Sequence, residues 1–403
     1  MNAAACLPAP QKSMLCLVLG LTLMVTMGIS SLIPALPLLA REFGVAEQAS
    51  WRIIAAFALP GLVCVPFVGV WADRFGRKKV LVPALLLFSA GGVACFFAQS
   101  YAQLLLFRML QGAGSAPLSL LYGTIIADAW QGEERARVMS KSAMMLGFGT
   151  AISPALGGAL CLVDWRLIFL LPLLALPLAV LAWRLPLMRP SESVTLKTYA
   201  RKAIALARHP QTLLLLALTL LTFIMLSGPI ITCFPLLAEA LFTASPVESG
   251  FIISAASLAS GVAAVLLPRL YTRFSVKLLL LIAMGLYAVA FCSMPHVAGL
   301  YWLFVPMCLY GLAQGLNIPL VSTLLAGQAP DGQRAAIMAL NAVLLRLGQN
   351  IGPALFGSLA GVLGPGAAIS SGALIALLTA CLVLCFPLPP MPGDVEGALL
   401  GES

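Results

Sequence analysis

The sequence predicts an all-α integral membrane protein with twelve transmembrane helices in two parallel, pseudo-symmetric six-helix bundles. Hydrophobic residues make up 61% of the 403, only 9% are charged, and the mean hydropathy is +1.03. Apolar runs of about 20 residues are separated by short polar breaks, which indicates spanning helices rather than the alternating strands of a barrel. An internal repeat at a constant offset of 199 residues predicts the two bundles.

The apolar runs define twelve predicted spans, numbered 1 to 12 throughout. They are 14–39, 50–71, 80–100, 103–127, 138–161, 166–185, 211–238, 247–268, 277–297, 299–325, 335–362 and 366–388. With these spans, 18 of the 23 Arg and Lys residues fall on one side of the membrane and three on the other. Because basic residues are retained on the cytoplasmic side, both termini are predicted to be cytoplasmic. The net charge of +9 therefore reflects topology and contact with membrane lipids, and predicts no nucleic-acid binding.

The repeat also predicts the division of the chain into domains. Residues that align across the offset are Arg74 with Arg273, Gly112 with Gly311, Arg135 with Arg334, and Pro154 with Pro353. The predicted segments are a cytoplasmic N-terminus 1–13, a first bundle 14–185, a cytoplasmic linker 186–210, a second bundle 211–388 and a cytoplasmic tail 389–403. The linker is either a short amphipathic helix on the membrane surface or a flexible connection, and the Pro- and Gly-rich tail is predicted to be disordered.

The densest charge cluster lies between spans 2 and 3, where Gly69 begins the pattern GxxxDRxGRK. This pattern resembles the signature of the major facilitator superfamily, and more narrowly of its twelve-span drug/proton antiporters. The resemblance implies a substrate passage between the two halves, opened to alternate sides by rocking. It also implies a conformational latch that holds the outward-open state, in which Asp73 faces the N-terminal end of span 11. The residues of this predicted latch are Gly69, Asp73, Arg74, Gly76, Arg77 and, as the carboxylate partner of Arg77, Asp128.

One alternative to this latch, and one prediction about its copy, follow from the residues themselves. The cluster is also consistent with a solvated charge run that only sets the topology. In the second half, Thr272 replaces Asp73 and Ser275 replaces Gly76, so the copy of the latch is predicted to be weaker.

Span 4 carries Arg108 and Gln111, which lie on one helix face at a spacing of three. The arrangement resembles an antiporter motif in which the Arg is linked to proton transfer. A structural Arg bonded to backbone carbonyls of span 1 is the alternative. Span 5 is similar to the antiporter motif GxxxGPxxGG, which implies close packing against a helix of the other half, although generic small-residue packing would use the same residues. The motif positions in span 5 are Gly149, Ser153, Pro154, Gly157 and Gly158.

No carboxylate is predicted at the middle of any span, whereas Arg346 lies near mid-depth of span 11 with Gln349 and Asn350 on its face. If Arg108 and Arg346 both open onto the central cavity, a neutral or anionic substrate is favoured over a lipophilic cation. Further candidates for the wall of the substrate cavity are Met27, Met144, Phe148, Phe223, Asn317 and Asn341.

These features predict a secondary transporter, most simply a proton-coupled exporter of drugs or small amphiphilic metabolites. An importer or uniporter of a polar or anionic metabolite is the alternative on the same fold, and a membrane sensor without flux is the alternative of another class. Two histidines without metal-ligand spacing and the absence of a nucleotide-binding loop argue against an enzyme, a metal or another cofactor. The expected partners are a small-molecule substrate, protons and lipids. A monomer in a bacterial inner membrane is predicted.

Overall fold

The computed structural model describes residues 9–186, 209–328 and 334–386, and in these ranges every regular element is a helix. The predicted linker lies almost wholly, and the tail entirely, outside the described residues. In the first half, the helices are Ala9–Ser30 and Leu36–Glu42 in span 1, Trp51–Phe75, Arg77–Phe96, Tyr101–Ala129, Gly132–Cys161 and Trp165–Arg184. In the second half, they are Pro210–Phe242 in span 7, Pro246–Tyr271, Val276–Ser293, Phe304–Gly327, Arg334–Leu363 and Pro365–Cys385.

Ten helical segments of the described chain are long and apolar enough to cross a membrane. Spans 2 and 11 complete the predicted twelve as continuous helices of 25 and 30 residues. Several helices extend beyond their predicted ends, and span 5 begins at Gly132 rather than at 138. The polar first turns of such helices project out of the apolar run, so hydropathy alone misses them.

Spans 1 and 7 are interrupted, which the apolar runs did not predict. In span 1 a short 3-10 turn, Ile33–Ala35, separates the two helices. In span 7 the stretch Leu226–Cys233 is a π-helix that contains Pro229. Proline lacks the N–H that would bond four residues back, so one bond of the α-helical ladder is missing within this stretch. The Thr232 hydroxyl donates to the Ser227 carbonyl at 2.9 Å and satisfies an acceptor inside this break.

The chain divides into two compact units. The first comprises Met1–Val45 and Arg52–Val194, and the second comprises Ala46–Trp51 and Thr195–Ser403. Each unit has its own buried apolar core, built around residues such as Leu85 and Phe88 in the first and Leu215 and Leu324 in the second.

Glycines at equivalent positions allow the same close helix contact in both units. A Cβ built on Gly112 would overlap the carbonyl oxygen of Phe57, and a Cβ on Gly311 would overlap that of Ala256. Both members of the second pair lie 199 residues after the first, so span 4 packs on span 2 as span 10 packs on span 8. Any larger residue at either glycine would force the helix backbones apart.

A lysine in each unit ties the start of one helix to the end of another. Lys78 donates to the Trp183 carbonyl at 2.7 Å, and Lys277 donates to the Leu384 carbonyl at 2.9 Å. The last carbonyls of a helix have no partner within the helix and carry partial negative charge, so a lysine there is favourable. The internal repeat is therefore visible in side-chain contacts as well as in the sequence.

Candidate functional site

An ion pair links the start of span 3 to the C-terminal end of span 4 in the first unit. Arg77 contacts the Asp128 carboxylate, and the side chains are only 8% and 29% exposed, respectively. A partly buried pair of this kind is screened less than a surface pair, and removing either partner leaves a charge that is poorly solvated. Arg77 and Asp128 are the two residues that the sequence resemblance brings together, although they are 51 positions apart in the chain.

The other predicted latch residues surround the short connection between spans 2 and 3. Gly76 is buried with φ of 91°, a conformation that residues with a Cβ adopt only with strain, and Arg77 begins the next helix directly after it. Arg74 is exposed and lies 5.7 Å from the ring of Phe75. Asp73 belongs to the last turn of span 2, and its side chain is outside the described part of the structure.

Gly69, the first residue of the predicted latch, makes no close helix contact among the described residues. A Cβ at this glycine would meet only the Leu120 side chain, at 3.8 Å, which is an ordinary contact. Gly69 therefore has room for a small side chain in this structure, in contrast to Gly112.

Arg108 is sealed inside the first unit with 1% of its surface exposed. Its two terminal nitrogens donate to the Gly28 carbonyl at 3.2 and 3.1 Å, and one of them donates to the Gln111 side chain at 2.7 Å. The guanidinium also lies 4.3 Å from the centre of the Phe57 ring. The condition that Arg108 opens onto a cavity is not met in this structure, because protein groups enclose the charge.

The partner of Arg108 lies where the first helix of span 1 ends. The Leu32 N–H bonds to the Ile29 carbonyl at 3.0 Å, three residues back rather than four, so the helical ladder tightens there. The Gly28 carbonyl is then available to Arg108, whose positive charge also favours the negative end of that helix. These contacts match the alternative in which Arg108 has a structural role and bonds to a backbone carbonyl of span 1. They place the arginine beside the break in span 1.

The small-residue face of span 5 packs on span 1 of the same unit. A Cβ on Gly149 would overlap the Thr26 hydroxyl, and one on Gly157 would overlap the Ser31 carbonyl. Ser153, Pro154 and Gly158 are buried as well. Positions 149, 153 and 157 recur every four residues, so they share one helix face, and that face meets span 1. The contact of span 5 with a helix of the other half stays a prediction.

Span 11 carries a polar trio on one face in the second unit. Arg346 is half-buried and donates to the Gln349 side-chain oxygen at 3.4 Å. The Asn350 side-chain amide donates to the Arg346 backbone carbonyl at 2.8 Å, which directs the side-chain oxygen of Asn350 away from that bond. This oxygen is buried and has no hydrogen-bond partner among the described residues. Arg346 lies roughly 18 Å along its helix from Arg334, given a rise of about 1.5 Å per residue.

The six predicted cavity residues fall into two groups. Met27, Asn317 and Asn341 are buried, with 7%, 1% and 8% of their surfaces exposed, and Phe223 is half-buried beside Gly348. The buried members pack within their own unit in this conformation. Met144 and Phe148, in contrast, are 74% and 55% exposed on span 5.

Two interhelical hydrogen bonds join corresponding pairs of spans and were missed in the sequence. Thr22 bonds to Ser142 at 2.7 Å between spans 1 and 5, and Thr219 donates to Asn341 at 2.8 Å between spans 7 and 11. Ser142 and Asn341 are separated by the repeat offset of 199, so comparison of polar positions across the offset could have identified them. A third bond, from Asn317 to Thr222 at 2.7 Å, exists in the second unit.

Comparison with known proteins identifies the family. The sequence profile of the Major Facilitator Superfamily matches residues 18–241 and 230–399, which is nearly the whole chain. The chain belongs to the Major Facilitator Superfamily. It is therefore an integral membrane transporter, and its relatives include proteins named for multidrug resistance and for export.

Multidrug resistance protein 2 of Bacillus subtilis (strain 168) is 25% identical over 361 residues, 87% of this chain and 89% of that protein. The Bacillibactin exporter of the same organism is 34% identical over 155 residues, only 36% of this chain and 37% of that protein. The crystal structure of nucleoside transporter NupG matches 94% of this chain and 99% of its own, with a TM-score of 0.77 and 13% identity. The last similarity supports the fold alone.

Proposed function

We propose that this transporter is a proton-coupled efflux antiporter for drugs or small amphiphilic metabolites, with neutral or anionic substrates favoured. The observation that carries the proposal is the similarity to Multidrug resistance protein 2, which extends over 87% of the chain. The exporter named among the relatives supports the same direction of transport. The antiporter-like residues of span 5 add a local sequence feature, although they pack within the first unit.

The Arg77–Asp128 pair is proposed to act as part of a cytoplasmic latch. The pair ties span 3 to the end of span 4, and Gly76 gives the loop the sharp turn that brings Arg77 there. A conformational change that separates these helices must expose or re-pair both charges, so the pair favours the state in which it is intact. Asp73 is proposed to complete the latch through the dipole of a neighbouring helix end.

The distribution of basic residues supports an orientation with both termini in the cytoplasm of a bacterial cell. We propose the inner membrane as the location and a monomer as the working form. Protons are the proposed coupling ion, and the lipid bilayer is the only other partner that the mechanism requires.

The test is flux in proteoliposomes with an imposed pH gradient. Substrates are first found by a protection screen in a host that lacks its own pumps. An antiporter accumulates such a substrate in the vesicles only when the imposed gradient drives protons out of them. A protonophore, which dissipates the proton gradient, abolishes the accumulation. The Asp73→Asn protein is the matched variant, and it should insert normally yet transport at least tenfold more slowly. Unchanged flux in this variant would show that Asp73 is not part of the latch.

An importer or uniporter is the second candidate, because the sequence has no carboxylate at the middle of a span to carry a proton. Flux that equilibrates the substrate regardless of the pH gradient would favour this candidate. Ligand binding without any flux would favour a membrane sensor instead.

A further inference from the structure

Span 11 of the second unit carries polar side chains at three positions where span 5 of the first unit has other residues. Arg346 of span 11 corresponds by the repeat offset of 199 to Gly147 of span 5. A Cβ built on Gly147 would meet nothing within 4 Å, so the surface at this position is open in the first unit. The second unit carries a guanidinium at the equivalent place. The other members of its trio, Gln349 and Asn350, correspond to Thr150 and Ala151, so the whole polar face is specific to the second unit.

This polar face is unsuited to lipid. A charged side chain near the middle of a spanning helix is costly unless it faces protein or water, and an adjacent glutamine and asparagine add to that cost. Arg346 is only half-buried, so part of its surface is not covered by protein. Part of the Arg346 side chain is therefore accessible to a solute, in contrast to Arg108 with 1% exposure.

The chemistry of the trio is selective. A guanidinium presents its donors in a planar fork that matches a carboxylate or sulfonate. One turn away, the Asn350 side-chain oxygen is a buried acceptor without a hydrogen-bond partner in the described ranges. A buried acceptor left unpaired is unfavourable, so a ligand that supplies a hydroxyl there gains affinity. An anionic group next to a hydroxyl satisfies both features.

We propose that Arg346, Gln349 and Asn350 form a binding site for organic anions that carry a hydroxyl group beside the acidic group. Arg346 holds the anionic group, Gln349 orients the guanidinium through its hydrogen bond, and the Asn350 oxygen accepts the hydroxyl proton in a hydrogen bond. The site deepens the proposed function, because it names the substrate class of the exporter, and it assigns recognition of charge to the second unit alone.

The test compares three probes by equilibrium dialysis against the purified full-length protein in detergent. Ortho-hydroxybenzenesulfonate carries both groups, benzenesulfonate lacks the hydroxyl, and ortho-hydroxybenzenesulfonamide lacks the charge at neutral pH. The wild-type protein should bind the first at least tenfold more tightly than the sulfonamide and about fivefold more tightly than benzenesulfonate.

The variants separate the two parts of the site. Arg346→Gln should abolish the preference for the anion, and Arg346→Lys should restore part of it. Asn350→Leu should abolish the preference for the hydroxyl and leave that for the anion. Arg137→Gln is the matched control, because it removes an arginine from an exposed pair with Glu133, and both preferences should persist. Each variant is first checked for a wild-type thermal unfolding profile.

The outcomes distinguish this inference from the proposed function. A wild-type protein without either preference, or a folded Arg346→Gln protein that keeps its preference for the anion, would overturn the binding site. Selective binding without proton-driven flux in proteoliposomes would leave the site standing and overturn the efflux proposal. Proton-driven flux of neutral substrates with no binding of the sulfonates would support the efflux proposal and overturn the binding site.

Discussion

The connection between spans 2 and 3 and its copy between spans 8 and 9 are built differently at the same place. In the first unit, Gly76 takes a left-handed conformation with φ of 91° and Arg77 pairs with Asp128. In the second unit, Ser275 has φ of −64° and caps the next helix, its hydroxyl accepting the Leu278 N–H at 3.3 Å. The second turn therefore starts a helix in the ordinary way, whereas the first directs a charged side chain into a contact.

The ion pair has no copy in the second unit. The positions equivalent to Arg77 and Asp128 are Val276 and Gly327, which carry no charge. The lysine bonds to the ends of spans 6 and 12, in contrast, are present in both units. The two units therefore share the lysine bonds to helix ends, whereas the Arg77–Asp128 pair occurs in the first unit only and the Arg346 trio in the second unit only.

Arg108 is expected to give the largest effect. Its unit 2 equivalent is Met307, which is fully buried and apolar. Arg108→Ala leaves the Gly28 carbonyl and Gln111 without their shared donor and creates a cavity, so stability should fall by about 3 kcal/mol or more. Thermal unfolding in detergent measures this change. Arg137→Gln serves as the control, and a protein with Arg108→Ala as stable as that control would show that the buried arginine is not structural.

The Arg77–Asp128 pair should come next, with its main effect on transport. Arg77→Gln removes the positive charge that contacts the partly buried Asp128 carboxylate, and we expect flux to fall at least tenfold with a stability loss of about 1–3 kcal/mol. Exchange of the two charges, Arg77→Asp with Asp128→Arg, should restore part of the flux. If the exchanged protein is no better than either single variant, the electrostatic role of the pair is contradicted.

Reciprocal substitutions in the two turns should have unequal effects. Gly76→Ser introduces a Cβ at positive φ and should cost about 1–2 kcal/mol. Ser275→Gly loses only the cap and should cost a few tenths of a kcal/mol. Both are measured by thermal unfolding. Equal losses in the two proteins would mean that the left-handed turn is not specific to the first unit.

The two lysine bonds should give the smallest and the most similar effects. Lys78→Met and Lys277→Met each remove one bond from a lysine to a helix end, at a cost of about 0.3–1 kcal/mol. The same unfolding assay applies, with the double variant as a check that the losses add. A large loss of stability in only one of the two variants would contradict the equivalence of the two lysine bonds.

Much of the fold could be predicted from the sequence because lipid imposes strong constraints on spanning segments. The apolar runs gave twelve helices, and the offset of 199 gave the relation between Gly112 and Gly311 before either was seen to pack on a carbonyl. Hydropathy could not locate the breaks in spans 1 and 7, because they depend on Pro229 and on side-chain bonds inside otherwise apolar runs.

The candidate site was less predictable, because burial is decided by packing and not by depth in the membrane. Arg108 and Arg346 both lie inside spans, yet a carbonyl of span 1 encloses the first and leaves it 1% exposed, whereas the second is half-buried. The small face of span 5 was identified correctly as a packing surface, but its partner helix could be read only from the contacts of Gly149 and Gly157.

The central claim is a division of labour: the first unit holds the charged latch, and the second unit recognises the charge of the substrate. The most direct test is the ratio of the initial uptake rates of ortho-hydroxybenzenesulfonate and its neutral sulfonamide in proteoliposomes, for Arg77→Gln and Arg346→Gln. The account predicts that Arg77→Gln slows both probes equally and leaves the ratio unchanged. It predicts that Arg346→Gln lowers the ratio about tenfold. A ratio that changes with Arg77 and stays constant with Arg346 would contradict it.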